Sequence, residues 1–360
     1  MIGTRLKLAR TRAGLSLRGL EARIDRLVTA QAIGRYERGE SSPRPRVLEA
    51  LALALDVRVD YLFEEDSLQI SSIEFRRKGR LGKRQLARIE AQAVHALERY
   101  LTVEDILGVP NPSWKAPFGC LAGLSAPSDA EEVAEQVRER WSLGDGPIRS
   151  MVGLVEEKGI RVLSLDLGDG RLDGFMATAR RGDGEELSVI VVNERKKDGE
   201  RRRFTVAHEL HHLLLGDGED RESEKAAHRF AGVLLMPESA LRGRLGTGRT
   251  SVTWEELITL KRLFGVSLQA LTFRCRELGI FRVPLARQLQ REFVRRGWSR
   301  PPYEEPFVSK PEPPGRFRTL CLRALSEGHV TADRAAGLLG TSVEDLYGQW
   351  VDQPLYTDGA

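Results

Sequence analysis

RFTVAHELHHLLL, residues 203–215, is the stretch from which the rest of the chain is read. Phe204, Ala207, Leu210 and Leu214 recur at steps of three and four, with no Gly or Pro before Gly216, which is the apolar period of a helix. Inside it stands the pattern HExxH, with His208, Glu209 and His212 at the motif positions. Residues i and i+4 of a helix lie one turn apart on the same face, so His208 and His212 can offer two imidazole nitrogens to one metal ion. Glu209 follows the first of them, where its carboxylate can reach a water at that ion without binding the ion itself. The stretch predicts a helix built for metal-assisted hydrolysis.

A catalytic zinc site takes three protein ligands and keeps its fourth position open. In the next run Phe230, Ala231, Leu234 and Leu235 form a second apolar stripe, ended by Pro237. Glu224 stands ahead of that stripe and can point back across the Gly216-Asp217-Gly218 turn; Glu222 is the alternative. His211 is three residues from His208 and shares its face, so the residues alone leave the second imidazole open between His211 and His212. RFTVAHELHHLLL followed by EKAAHRFAGVLLMP, residues 224–237, resembles the ImmA/IrrE family of zinc metallopeptidases. The resemblance implies a bound Zn2+ with His208, His212 and Glu224 as ligands and Glu209 as the catalytic residue. His211 stands where the family carries Gly, and His228 where it carries Asn. His211 is then expected to line the site or donate to it, and His228 to hydrogen-bond in place of Asn.

The first 66 residues read as a small helical bundle. Leu6 and Ala9 belong to a helix that stops near Gly14, and Ser16 caps a second one with Leu17, Leu20 and Ile24 as its buried stripe. Thr29 caps a third helix that ends at Gly39; after Pro43 and Pro45, Val47, Leu48, Leu51 and Leu55 make the next apolar face. GRYERGESSPRPRVLEALALALDV, residues 34–57, resembles the helix-turn-helix domain of phage-repressor-like (XRE/Cro) regulators. The stretch Asp25-Arg26-Leu27-Val28 makes the turn before the third helix longer than that family's usual one. The resemblance implies a double-stranded DNA operator as partner, with the third helix in the major groove. Gln31 and Arg35 are then the candidates for base contacts, and Thr29, Arg38 and Arg44 for phosphates.

Residues 67–128 read as a helical connector, with a basic run up to Arg84 and then a long helix. That helix carries Leu86, Ile89, Ala93, Leu97 and Leu101 as a stripe that needs a partner, either a neighbouring domain or the same helix of a second copy in a homodimer. Pro110, Pro112, Pro117 and Pro127 mark a boundary. Residues 129–285 are the expected peptidase domain, with helices at 130–141 and 148–157 and strands at 160–165, 174–179 and 187–193. A substrate is expected there as a strand added along the sheet edge. ELITLKRLFGVSLQALTFRCRELGI, residues 256–280, is read as structural, with Cys275 a small buried hydrophobe. Residues 286–360 form a helical C-terminal module whose role lies between substrate selection, dimerisation and ligand sensing.

The whole is expected to be mainly α with a small β-sheet: an all-α helix-turn-helix domain, an α+β zincin-like domain and a helical module. A length of 360 residues accommodates two or three domains, and 41% hydrophobic with 30% charged residues is the balance of a water-soluble chain. No run approaches a membrane span, and the N-terminus has no signal-peptide core, which gives a cytoplasmic expectation. Cys120, Cys275 and Cys321 are too scattered to suggest disulfides or a cysteine metal site. A net charge of +4 permits an anionic partner. No strand–GxxxxGKS–helix pattern occurs, so no nucleotide site is expected. The sequence therefore points to a DNA-binding regulatory zinc endopeptidase that cleaves a repressor or antitoxin protein in a stress, phage or mobile-element setting. The alternative is a regulator whose peptidase-like domain senses or binds without proteolysis.

Overall fold

A computed structural model describes residues 2–63, 70–75, 82–109, 128–168, 172–181, 186–215, 221–299 and 305–351. Residues 76–81 of the basic run 73–84, the Pro-marked boundary 110–127 with Cys120, and the Gly216-Asp217-Gly218 turn lie outside these residues.

The N-terminal bundle comprises α1 (Ile2–Arg12), α2 (Leu17–Arg23), α3 (Ala30–Glu37) and α4 (Pro45–Leu55), closed by a 3-10 turn at Asp60–Leu62. Its core contains Leu6, Leu20 and Leu51 from the expected stripes, with Ile33 and Leu62 beside them, all fully buried. Ser16 accepts from the Gly19 N–H at 3.0 Å and Thr29 from the Ala32 N–H at 3.2 Å, each satisfying one orphan donor of its helix. The long turn between α2 and α3 is accommodated by two consecutive left-handed residues, Asp25 (φ 52°) and Arg26 (φ 56°). Close approach of α1 to α3 requires glycine at position 3, because a Cβ there would lie 2.5 Å from the Tyr36 carbonyl oxygen.

Six residues of the expected connector form β1 (Ile70–Phe75), and α5 (Lys83–Ile106) follows. Next come α6 (Ala130–Arg140), α7 (Met151–Glu157), β2 (Arg161–Leu165), β3 (Gly174–Arg181) and β4 (Glu186–Asn193). The sheet has the order β1-β3-β4-β2, with β2 parallel to β4 and the other pairs antiparallel. Side chains alternate across a strand, and β4 shows the consequence. Val189 and Val191 face Ile89, Ala93, Leu97 and Leu101 of α5, while Ile190 and Val192 join the larger core on the opposite side. A strand covered on both faces reads as the near-continuous apolar run seen in its sequence.

The larger core lies under α8 (Gly199–Leu215) and α9 (Arg221–Leu235), then α10 (Glu238–Leu245), α11 (Trp254–Phe264), α12 (Leu268–Glu277) and α13 (Val283–Arg295). The 285/286 boundary drawn from the sequence falls inside α13, whose Leu285, Leu289 and Phe293 pack into this core. Cys275 is fully buried within it, and burial pushes its thiol up to about 12. The last three helices, α14 (Arg316–Ser326), α15 (Ala332–Leu339) and α16 (Val343–Val351), return to α5. Leu320, Cys321, Ala324 and Leu338 cover its Tyr100 and Val103.

The stripe of α5 therefore finds its partners within the chain, on the sheet and on the C-terminal module. At its middle, Glu98 takes the Arg5 guanidinium of α1 at 2.6 Å and His95 stands edge-on to Tyr61, so the helix also seats the N-terminal bundle. The buried pair Arg161–Glu104 at 2.9 Å, with Arg316 on the same carboxylate at 3.0 Å, ties β2, α5 and α14 together. Among the described residues no helix is long and apolar enough to cross a membrane.

Candidate functional site

The apolar side of α8 sinks Val206, Ala207 and Leu210 into the core, and this rotation sets where its polar residues lie. His208, Glu209 and His212 are at most 5% exposed, yet they line the side of α8 that meets α9 and β3. The Nε2 atoms of His208 and His212 lie 3.3 Å apart. From the first turn of α9, Glu224 brings its carboxylate oxygens to 3.7 Å from His208 Nε2 and 3.6 Å from His212 Nε2. One ligand atom from each of the three falls within 4.8 Å of the others, so the group could hold a metal ion.

The spacing fits such an ion. Ligands placed tetrahedrally at about 2.0–2.1 Å from one zinc are roughly 3.3–3.4 Å from each other. The two imidazoles meet that separation, and the carboxylate sits a few tenths of an ångström farther out. Glu222, the alternative carboxylate, turns away and pairs with Lys225 at 2.5 Å on the exposed face of α9.

Glu209 is oriented from the sheet. Its Oε2 accepts the Met176 N–H of β3 at 3.1 Å, in a place where Glu209 itself is 2% exposed. No sequence signal could have found this donor, because a backbone N–H has no letter. The approach of β3 to α8 is close enough that a Cβ at Gly174 would lie 2.7 Å from the Thr205 methyl.

The two other histidines fall on opposite sides. His211 is 2% exposed, packed on Phe230 and His212, and both its ring nitrogens lack a hydrogen-bond partner among the described residues. Burial, with a smaller effect of His212, holds its pKa down to about 3, so the ring is neutral. It is a wall residue and no part of the metal-binding group. His228 is exposed, and its ring stands edge-on to His208 with centroids 4.7 Å apart.

A strap just before α14 pins the start of α8. Glu312 accepts from Ser150 Oγ (2.8 Å), the Val152 N–H (2.9 Å) and the Arg203 guanidinium. Lys261, 1% exposed, reaches Glu305 at 3.1 Å and Glu200 at 3.4 Å, while Glu200 receives the Ser309 N–H. Glu305 and Glu312 carry the ion pairs that tie this strap to α11 and α8.

Two family descriptions match the chain: a helix-turn-helix family over residues 6–62 and an IrrE N-terminal-like domain, Peptidase_M78, over residues 155–276. The chain carries an XRE-type helix-turn-helix domain and an IrrE N-terminal-like domain. No curated protein matches it. The helix-turn-helix domain implies DNA binding, and its candidate contacts are placed accordingly. Thr29, Gln31, Arg35, Arg38 and Arg44 are all exposed. Arg38 forks onto Glu40 at 2.6 and 3.0 Å, and Arg35 lies 3.9 Å from the same carboxylate. Both guanidiniums would have to exchange that partner for DNA. Arg44 precedes α4 and makes no capping bond there.

Proposed function

We propose that this protein is a DNA-binding regulatory zinc metalloendopeptidase whose substrate is a repressor or antitoxin protein. The observation that carries the reading is the convergence of His208, His212 and Glu224 beside a Glu209 already held by the Met176 N–H. Zinc in such a group supplies Lewis-acid polarisation of the scissile carbonyl and an acidified water. His208 and His212 present their Nε2 atoms from one face of α8, and Glu224 closes the set from α9. Glu209 takes the proton of the attacking water on its carboxylate and delivers it to the leaving amine. Holding Oε2 on the Met176 N–H fixes the carboxylate plane for both transfers. A structural role for the metal would have no use for a buried carboxylate in that position.

The sheet edge supports a place for the substrate. Among the described residues β1 pairs with β3 from Arg181 to Ala177, the neighbour of Met176. A peptide strand added along that edge would lie next to Glu209, bonding to backbone groups other than the Met176 N–H, which Glu209 holds. The cleaved bond then lies beside the metal-binding group.

Elemental analysis and cleavage assays on wild type, His208→Ala and Glu209→Gln test the reading. About one zinc per chain is expected in the wild type, lost in His208→Ala and kept in Glu209→Gln. Glu209→Gln is expected to lower kcat by roughly 10²–10⁴. Wild-type metal content with unchanged function in Glu209→Gln would favour a regulator without proteolysis. For DNA, affinity for an operator fragment is expected to fall steeply with salt, and Arg35→Ala to relax base preference by about 1–3 kcal/mol. Salt-insensitive binding would remove that half of the proposal.

A further inference from the structure

Between α9, α12 and α13 a cavity of about 470 Å³ opens beside the metal-binding group. Its volume lies in the range of small-molecule sites, roughly 300–1,000 Å³. Phe204, Met236, Phe273 and Phe293 give it an apolar wall. Among the described residues one polar group in that wall lacks a partner, and one cation on it is uncommitted. Thr272 is 5% exposed and its hydroxyl, on the cavity lining, has no hydrogen-bond partner among the described residues. A buried hydroxyl left in that state is costly, and such groups are normally paired.

The second feature is a cation. Three arginines line the cavity, and two are neutralised locally: Arg274 by Glu131 and Glu277, Arg229 by the same two carboxylates. Arg276 instead stands 5.3 Å from the centre of the Phe273 ring and forms no salt bridge among the described residues. The surplus positive charge and the orphan hydroxyl thus share one apolar cavity.

We propose that this cavity binds an amphipathic small molecule with an apolar body and one anionic head, a carboxylate or a phosphate. The body fills the aromatic wall, the head meets Arg276, and Thr272 donates to it or to an oxygen next to it. His228 lines the same cavity and stacks edge-on against His208, so the bound molecule lies one ring away from the metal-binding group. The site stands whether or not the chain proves to be a peptidase.

The test is calorimetric titration of the full-length protein with phenylhexanoate, and with phenylhexanol as the uncharged control. One saturable site per chain is expected, with the alcohol bound at least about tenfold more weakly, since a hydrogen bond to a charged group carries that order of affinity. Arg276→Ala, on an exposed position, is expected to weaken the carboxylate about tenfold or more and to erase the preference over the alcohol. Thr272→Val should weaken it several-fold, and Ala270→Trp, which fills the cavity, should abolish it with an unchanged circular dichroism spectrum. Absence of saturable binding to wild type overturns the proposal, as does binding indifferent to Ala270→Trp. Binding lost in Ala270→Trp but unchanged in Arg276→Ala would overturn the anionic head.

Discussion

Around α3, each functional candidate is exposed and its supports are local: Thr29 caps its own helix, and Arg38 and Arg35 meet Glu40 a few residues away. Around α8, His208, Glu209 and His212 are buried, and their supports come from β3, α9, α11 and the strap at 305–312. A surface that reads DNA is left accessible, so its side chains contribute little to folding. A metal-binding group requires fixed geometry, so its neighbours are polar, buried and mutually dependent.

The contrast is most exposed to failure at Lys261. Lys261→Ala leaves Glu200 and Glu305 buried without their cation, and loss of one partner of such a set costs about 3–5 kcal/mol. Urea denaturation followed by helical signal should show that loss, and the content of bound metal should fall with it. Arg38→Ala, on an exposed pair, should leave the same transition unmoved. Equal sensitivity in the two variants would erase the distinction.

Gly3→Ala probes a place where the N-terminal bundle is also tightly constrained. The added Cβ meets backbone oxygens of Tyr36 and Glu37, an overpacking that costs about 1–3 kcal/mol. Lower operator affinity and an earlier thermal transition are expected, with metal content unchanged.

His95 sharpens the comparison at the joint between the bundle and α5. Burial lowers its pKa to about 3, aided by Arg12, Arg99 and Arg5. An unfolded histidine titrates near about 6.5, so below that pH only the unfolded chain gains the proton. Stability contributed by the neutral ring is present above about pH 6.5 and is lost as pH falls towards 3, by up to about 1.4 kcal/mol per unit. His95→Gln should flatten the drop in urea midpoint between about pH 7 and pH 5. An unaltered slope would place the acid sensitivity elsewhere.

Much of this architecture could be read from spacing. Apolar steps of three and four gave the helix over 203–215, and β-branched runs between turns gave the strands that appear at Arg161–Leu165, Gly174–Arg181 and Glu186–Asn193. The helix caps at Ser16 and Thr29 were equally legible, because a hydroxyl before an apolar run satisfies a donor that every helix start leaves open. Ile70–Phe75 was not, since a short strand beside a basic run acquires its conformation only from the exposed edge of β3. Nor was the role of Glu312, whose partners Ser150 and Arg203 lie more than a hundred residues away.

By itself, then, the sequence determined which residues could meet at one metal ion, because HExxH sets histidines one turn apart on one helix face, with His211 or His212 still open beside His208. It also determined that α5 needed a partner. Tertiary structure decided what that partner is, which carboxylate joins the two histidines, and which backbone N–H holds Glu209. Those outcomes depend on how separate elements approach one another in space. Local periodicity specifies the face an element must bury, and packing alone selects what it is buried against.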